Sequence, residues 1–137
     1  MKLTPEFIYS LNPNEVFVFG SNLSGFHAAG AARTAMKWGA VWGEGIGHYG
    51  KTYAIPTKSK GIKRSLTVLE IKPYVDQFIE YAKTNPDLSF LVTEIGCGLA
   101  GYKPYQIAPL FKASLNVDNI YLPLRFIEEL GELVLST

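Results

Sequence analysis

The groups in this chain best placed to do chemistry are backbone amides. Eleven of the 13 glycines fall in two stretches, Gly20 to Gly50 and Gly96 to Gly101, while Gly61 and Gly131 stand apart. In each stretch a run of strand formers passes into a glycine loop and then into a helix-forming segment. The first is Val16–Phe19, loop Gly20–His27, helix Ala28–Trp38; the second is Ser89–Ile95, loop Gly96–Lys103, helix Pro104–Ala113. A helix N-terminus offers unpaired N–H groups and the positive end of a dipole, both of which suit an anion. If the two strands run parallel in one sheet, both loops leave its carboxyl edge, where open α/β sheets bind ligands. Two such loops side by side suit a ligand with two phosphates, or a phosphate and a ribose. The plainer alternative is that the glycines only make tight turns.

Side chains near these loops supply further candidates. His27, at the mouth of the first helix, could meet a phosphate or move a proton; a capping or surface histidine is the simpler role. Glu44, between Gly43 and Gly45, could orient a water if its loop folds over the cleft. His48 beside Tyr49 could stack on a base, as could Trp38 and Trp42, or all three could serve packing and solvent contact. Glu94 lies within the strand just before the second loop, where a charge is costly unless paired. Cys97 between two glycines invites a nucleophile reading, because helix N-termini lower a thiol pKa, but no His or Asp is arranged beside it and a packed thiol is the expectation. Lys58, Lys60, Lys63 and Arg64 make a basic loop, either solvated or a lid over phosphate or RNA.

Three sequence patterns fail their chemical test. Gly20 and Gly25 have the outer spacing of a P-loop, yet Phe26-His27 stands where Lys-Ser/Thr must hold phosphate and magnesium. Gly45-Ile-Gly47-His-Tyr-Gly50 spells G-x-G-x-x-G but leads into a strand. Gly96-Cys-Gly98-Leu-Ala-Gly101 spells it between a strand and a helix, but the next strand ends in Leu122-Pro123 with no carboxylate to hold a ribose hydroxyl, and Asp118 precedes that strand. A Rossmann-type dinucleotide binder is thus a remote alternative.

The elements that must position these groups follow from the rest of the chain. A length of 137 residues gives one domain, 1–137, and 47% apolar with 18% charged residues is a globular composition. Thirteen basic against 12 acidic side chains leave a net charge of +1, unlike domains that hold nucleic acid by general electrostatics. The single cysteine permits no internal disulfide, and nothing demands a metal or a cofactor. No stretch reaches the ~18 apolar residues of a membrane span, and MKLTPEFIYS has no signal-peptide apolar core. A soluble cytoplasmic protein with no membrane partner is expected; its oligomeric state is open. Thr4-Pro5 can open a short helix to about Leu11. Lys51–Ile55 reads as a second strand ended by Pro56. Ile71, Val75, Phe78, Ile79 and Ala82 make one apolar stripe on a helix from Val68 to Lys83, with Pro73 bending it or sitting in its first turn. Pro109 reads as an irregularity in the third helix, Asn119–Leu122 as a strand and Leu124–Leu130 as a closing helix. Strands alternate with helices, so the class is α/β with a largely parallel sheet.

On these residues the chain resembles the macro domain superfamily. Phe17-Val-Phe-Gly-Ser-Asn22, then Gly25 and His27-Ala-Ala-Gly30-Ala-Ala32, is similar to that family's first loop, and Gly98-Leu-Ala-Gly101-Tyr102 to its phosphate-gripping second loop. From about Glu15 to Phe111 the chain resembles, more narrowly, a small bacterial and phage family of macro-domain-like proteins, with the strings FGSN, YAIPTK and IGCGLAGY. The resemblance implies a three-layer α/β/α sandwich and a cleft for ADP-ribose or a related NAD-derived nucleotide, free or on an ADP-ribosylated macromolecule. By position, Gly20, Ser21 and Asn22 form the first loop's edge and Asn22 faces the distal ribose. Gly30 and Ala31 border the diphosphate, Gly98, Leu99, Ala100 and Gly101 offer N–H groups to its phosphates, Gly96 and Cys97 open that loop as further binding positions, and Tyr102 covers the distal ribose. An ADP-ribosyl hydrolase would use Asn22, His27 and Glu44, since Ser24 to Arg33 holds no Asp or Glu to position water. The adenine-reading aspartate that follows an N-terminal strand in many members has no counterpart here. Reader and hydrolase both stay open, as does an RNA- or protein-binding domain using the Lys58–Arg64 loop.

Overall fold

The computed structural model describes residues 2–136. Its strands are β1 (Glu15–Asn22), β2 (Gly47–Tyr49), β3 (Thr52–Lys58), β4 (Ser89–Val92) and β5 (Ile120–Tyr121), and its α-helices are α1 (Gly30–Ala35), α2 (Val68–Lys83), α3 (Pro104–Ile107) and α4 (Leu124–Ser136). The strands form one mixed sheet in the order β2-β3-β1-β4-β5. β1 lies parallel to both β3 and β4, β5 is parallel to β4, and only β2 runs antiparallel, against β3. The class is therefore α/β with a mostly parallel sheet, as the alternation of elements implies.

The continuous apolar run of β1 is explained by helices on both of its faces. Val16 and Val18, with Tyr53, Ile55, Phe90 and Val92, pack on Ile71, Val75, Phe78, Ile79 and Ala82 of α2 and on Phe111, Phe126 and Leu130. The alternate residues Phe17 and Phe19, with Ala54, meet Ala32 and Ala35 of α1. The apolar stripe of α2 is buried as its spacing requires. That helix opens on a capping box, in which Thr67 Oγ1 accepts from the Glu70 amide and Glu70 accepts from the Thr67 amide.

Several boundaries differ from expectation, each for a physical reason. No helix forms over Thr4–Leu11; instead Leu3 makes a parallel bridge to Leu122 and the Thr4 hydroxyl donates to the Val92 carbonyl at 2.7 Å. The segment is pinned beside the sheet, which outweighs the Thr-Pro start signal. β1 runs on through Gly20–Asn22, and β3 runs through Pro56 to Lys58. Pro56 is tolerated because β2 pairs only with Thr52–Ala54, so no neighbour on that side needs its missing N–H. Pro73 sits as the sixth residue of α2, beyond the first turn. The carbonyl it cannot bond is that of Leu69, a residue 81% exposed. β4 ends at Val92, three residues short of Ile95, because the amide and hydroxyl of Thr93 both turn onto the Val18 carbonyl. After α3 the chain winds as a 3-10 helix over Ala108–Asn116, so Pro109 marks the change of pitch. Likewise Met36–Trp38 continues α1 as a 3-10 turn that stops at Gly39, φ +106°.

Candidate functional site

Because β1 and β4 are parallel and adjacent, the loops that follow them leave the same sheet edge. Between them lies a cleft of about 370 Å³, within the usual range for small-ligand sites. Its wall is Gly20–Asn22, Phe26, Ala28–Ala32, Thr57, Lys58, Ile62, Thr93–Gly96 and Gly98–Ala100. Of the positions expected to bind, Gly20, Ser21, Asn22, Gly30, Ala31, Gly96, Gly98, Leu99 and Ala100 line this cleft. Cys97, Gly101 and Tyr102 do not.

The second loop explains that split. Cys97 N–H donates to Glu94 O, Gly101 N–H to Gly98 O and Tyr102 N–H to Gly96 O, at 2.9–3.1 Å. Gly96 (φ +79°) and Gly101 (φ +84°) take left-handed conformations to make this winding. Among the described residues the amides of Gly98, Leu99 and Ala100 have no protein acceptor, although all three residues line the cleft. A Cβ added at Gly98 would meet nothing within 4 Å, so the protein itself does not require a glycine there. Across the lining, α1 starts at Gly30 after the N-cap residue Ala29, which has no side-chain cap, and the amides of Gly30, Ala31 and Ala32 are likewise without acceptors among the described residues. Two rows of free N–H donors thus border one cavity.

Tyr102 and Cys97 turn the other way. The Tyr102 hydroxyl donates to the Leu66 carbonyl, and its ring packs on the main core. It does not cover the cleft as the resemblance implies. Cys97 also packs on the main core; burial pushes its thiol up to about 11, with Glu94 adding to the effect. That is the reverse of nucleophile activation.

The first loop is braced rather than presented. The Asn22 amide is taken up by Phe26: Oδ1 accepts from the Phe26 N–H at 2.9 Å, and Nδ2 donates to the Phe26 carbonyl at 3.0 Å. Residues 41–46 pack behind this loop. The Ser21 hydroxyl donates to the Gly45 carbonyl and the Gly25 carbonyl accepts from the Gly43 amide. The two backbones come so close that a Cβ on Gly45 would stand 2.0 Å from the Asn22 carbonyl oxygen. His27 is 2% exposed, edge-on to Phe19, and its Nε2 donates to the Glu44 carbonyl at 3.0 Å. That fixes the tautomer and leaves Nδ1 a buried acceptor without a donor. Glu44 itself is exposed, accepts from the Tyr49 hydroxyl at 2.9 Å and does not line the cleft. The structure therefore brings Asn22 to the cleft but keeps His27 and Glu44 behind it, contrary to the acid/base roles expected of them.

The remaining candidates separate clearly. His48 Nε2 donates to Gly50 O at 2.8 Å and Nδ1 accepts from the Tyr81 hydroxyl, so it secures β2 to α2 instead of stacking on a base. Trp38 packs on Phe17 in the second core cluster. Trp42 stacks on Phe26 at 5.5 Å and 16°. Glu94, out of the strand, lines the cleft and stands 3.4 Å from Arg125. Lys58 lines the cleft from the end of β3. The strap after it folds over the cleft edge: Gly61 N–H donates to Ser24 Oγ at 2.8 Å, and Ile62 reaches the cavity with φ +55°. A β-branched residue at positive φ is strained, and sequence reasoning had no signal for it. Arg64 pairs with Glu70 through two bonds of 2.8 and 3.0 Å and holds that carboxyl down at about 2.

Sequence reading missed a second cavity of about 840 Å³ between residues 3–8 and the start of α4, because it required the N-terminal segment to be extended. It shares Ala31, Thr93 and Glu94 with the cleft, so the two adjoin. No protein-family model, curated protein or solved structure matches the chain. No helix among the described residues is long and apolar enough to cross a membrane, and no group of three His, Cys, Asp or Glu among them could hold a metal.

Proposed function

We propose that this chain binds ADP-ribose or a related NAD-derived nucleotide, and that it acts as a reader rather than a hydrolase. The observation that carries the reading is the set of amides at Gly98, Leu99 and Ala100 and at Gly30–Ala32, which have no protein acceptor among the described residues and belong to residues lining one cleft. Backbone N–H groups bind a diphosphate without cationic side chains, which accords with Lys58 and Glu94 being the charged residues of the wall. The resemblance to macro domains at both loops supports the same ligand class. The second cavity adjoins the cleft at Ala31 and Thr93, on the side where the nucleoside end would lie in this reading.

Binding without turnover follows from the side chains. The Asn22 amide is spent on Phe26, His27 is buried behind the first loop, and Glu44 stands outside the cleft. Glu94 is the carboxylate that could still meet water there. Thermal unfolding with ADP-ribose, ADP, AMP and NAD, on wild type and Gly98→Glu, tests the reading. A ligand at ~100 times its Kd adds about 2.7 kcal/mol, several degrees for a domain of this size. A shift with ADP-ribose that Gly98→Glu abolishes supports it; no shift with any of the four sinks it. Release of ADP-ribose from a modified protein, lost in Glu94→Gln, would show a hydrolase instead.

A further inference from the structure

Beyond the cleft, its rim carries an exposed aromatic pair and a row of unpaired cations on adjoining segments. Phe26 and Trp42 are stacked, yet 42% and 53% exposed, and Phe26 also lines the cleft. Lys58 ends β3, and the strap after it, latched to the same first loop through Ser24, holds Lys60 and Lys63. Among the described residues none of these three has a carboxylate within ion-pair distance, whereas Arg64 is neutralised by Glu70. Of the nearby carboxylates, Glu44 is held by Tyr49 and Glu94 by Arg125.

We infer that the cleft takes its nucleotide as the end group of a single-stranded nucleic acid, whose next base stacks on Phe26–Trp42 and whose phosphates follow Lys58, Lys60 and Lys63. The inference rests on the nucleotide reading above. An aromatic platform beside a cationic track is how single strands are held without sequence readout, because every base has a π-face and every residue a phosphate. The net charge of +1 fits a short track at one site rather than a general affinity for duplexes.

The test compares fluorescence anisotropy or competition for four probes: ADP-ribose, an eight-nucleotide single strand with ADP-ribose on its terminal phosphate, the same strand with a bare terminal phosphate, and an ADP-ribosylated peptide. The modified strand is expected to bind at least tenfold more tightly than ADP-ribose. Its log K should fall with log salt at a slope of about −2, as three contacted phosphates give for single strands. Trp42→Ala should cost it about tenfold, and Lys60→Glu with Lys63→Glu should flatten the slope. Neither change should alter affinity for ADP-ribose, since none of the three residues lines the cleft. A modified strand binding no better than ADP-ribose overturns the inference and leaves the nucleotide reading standing. So does a gain seen with the peptide and not the strand, or equal binding of the bare strand. Binding of neither ADP-ribose nor the modified strand overturns both.

Discussion

The side-chain amide of Asn22 closes on the peptide of Phe26 from both sides, accepting from its N–H and donating to its carbonyl, with Asn22 itself 7% exposed. A polar residue at the end of a central strand is here a brace that sets the first loop, so its first consequence is for stability. Each buried hydrogen bond is worth about 1 kcal/mol net, and a partner left unpaired costs more. Asn22→Ala should therefore lower unfolding stability by about 2–3 kcal/mol in urea titration, and Asn22→Asp should be no milder at neutral pH, because it buries a carboxylate and sets an oxygen against the Phe26 carbonyl where Nδ2 donates at 3.0 Å.

Gly98 separates fold from ligand. A Cβ there meets nothing within 4 Å, so Gly98→Ala should leave the melting temperature within about a degree of wild type. Gly98→Glu should melt similarly but lose ADP-ribose, because its carboxylate would sit among the free amides. Gly25→Ala is the contrast: at φ +69° with backbone of Gly43 and Glu44 at 2.3 Å, it should destabilise the fold strongly.

How much of this was legible beforehand follows from where the information sits. The paired loops could be found because strand formers, glycines and helix formers are local signals, and the α2 stripe because its period is local too. The roles of His27 and Tyr102 could not, since each is set by a long-range partner, the rear loop for His27 and Leu66 for Tyr102; that of Asn22 depends on the loop returning its own Phe26 backbone onto the side chain, which composition does not signal. β2 was missed because the three residues Gly47–Tyr49 carry almost no periodicity and depend on β3 for pairing. The extended N-terminus is likewise a tertiary outcome, fixed by Leu122 and Val92.

Cys97 should be a slow thiol. With its thiol held up at about 11, iodoacetamide at pH 7.5 should alkylate the folded chain far more slowly than the urea-unfolded one.

Alkali should also weaken the fold. Burial raises Tyr53 to about 12 and Cys97 to about 11, from ordinary values of 10.0 and 9.0. A folded-state pKa above the unfolded one contributes stability that is complete below the unfolded value and lost as pH rises through the folded value. Melting temperature should accordingly fall from about pH 9 to pH 12. Tyr53→Phe, which removes the ionisation, should shallow that fall.

Ile62 holds φ +55° at the cleft edge. A β-branched residue in the left-handed region costs about 1–2 kcal/mol, more than the ~0.5–1 kcal/mol of extra chain entropy that glycine loses. Ile62→Gly should thus melt no lower than wild type, although the same change at an ordinary loop site is destabilising.

The central claim, that free backbone amides of two loops grip the diphosphate, is tested most directly by titrating ADP-ribose into 15N-labelled protein and following amide resonances. The account predicts the largest downfield shifts at Gly98, Leu99 and Ala100 and at Gly30–Ala32, with Cys97, Gly101 and Tyr102, already bonded to carbonyls, moving less. Saturable shifts confined to the Lys58–Arg64 strap, with the two loops unmoved, would contradict it.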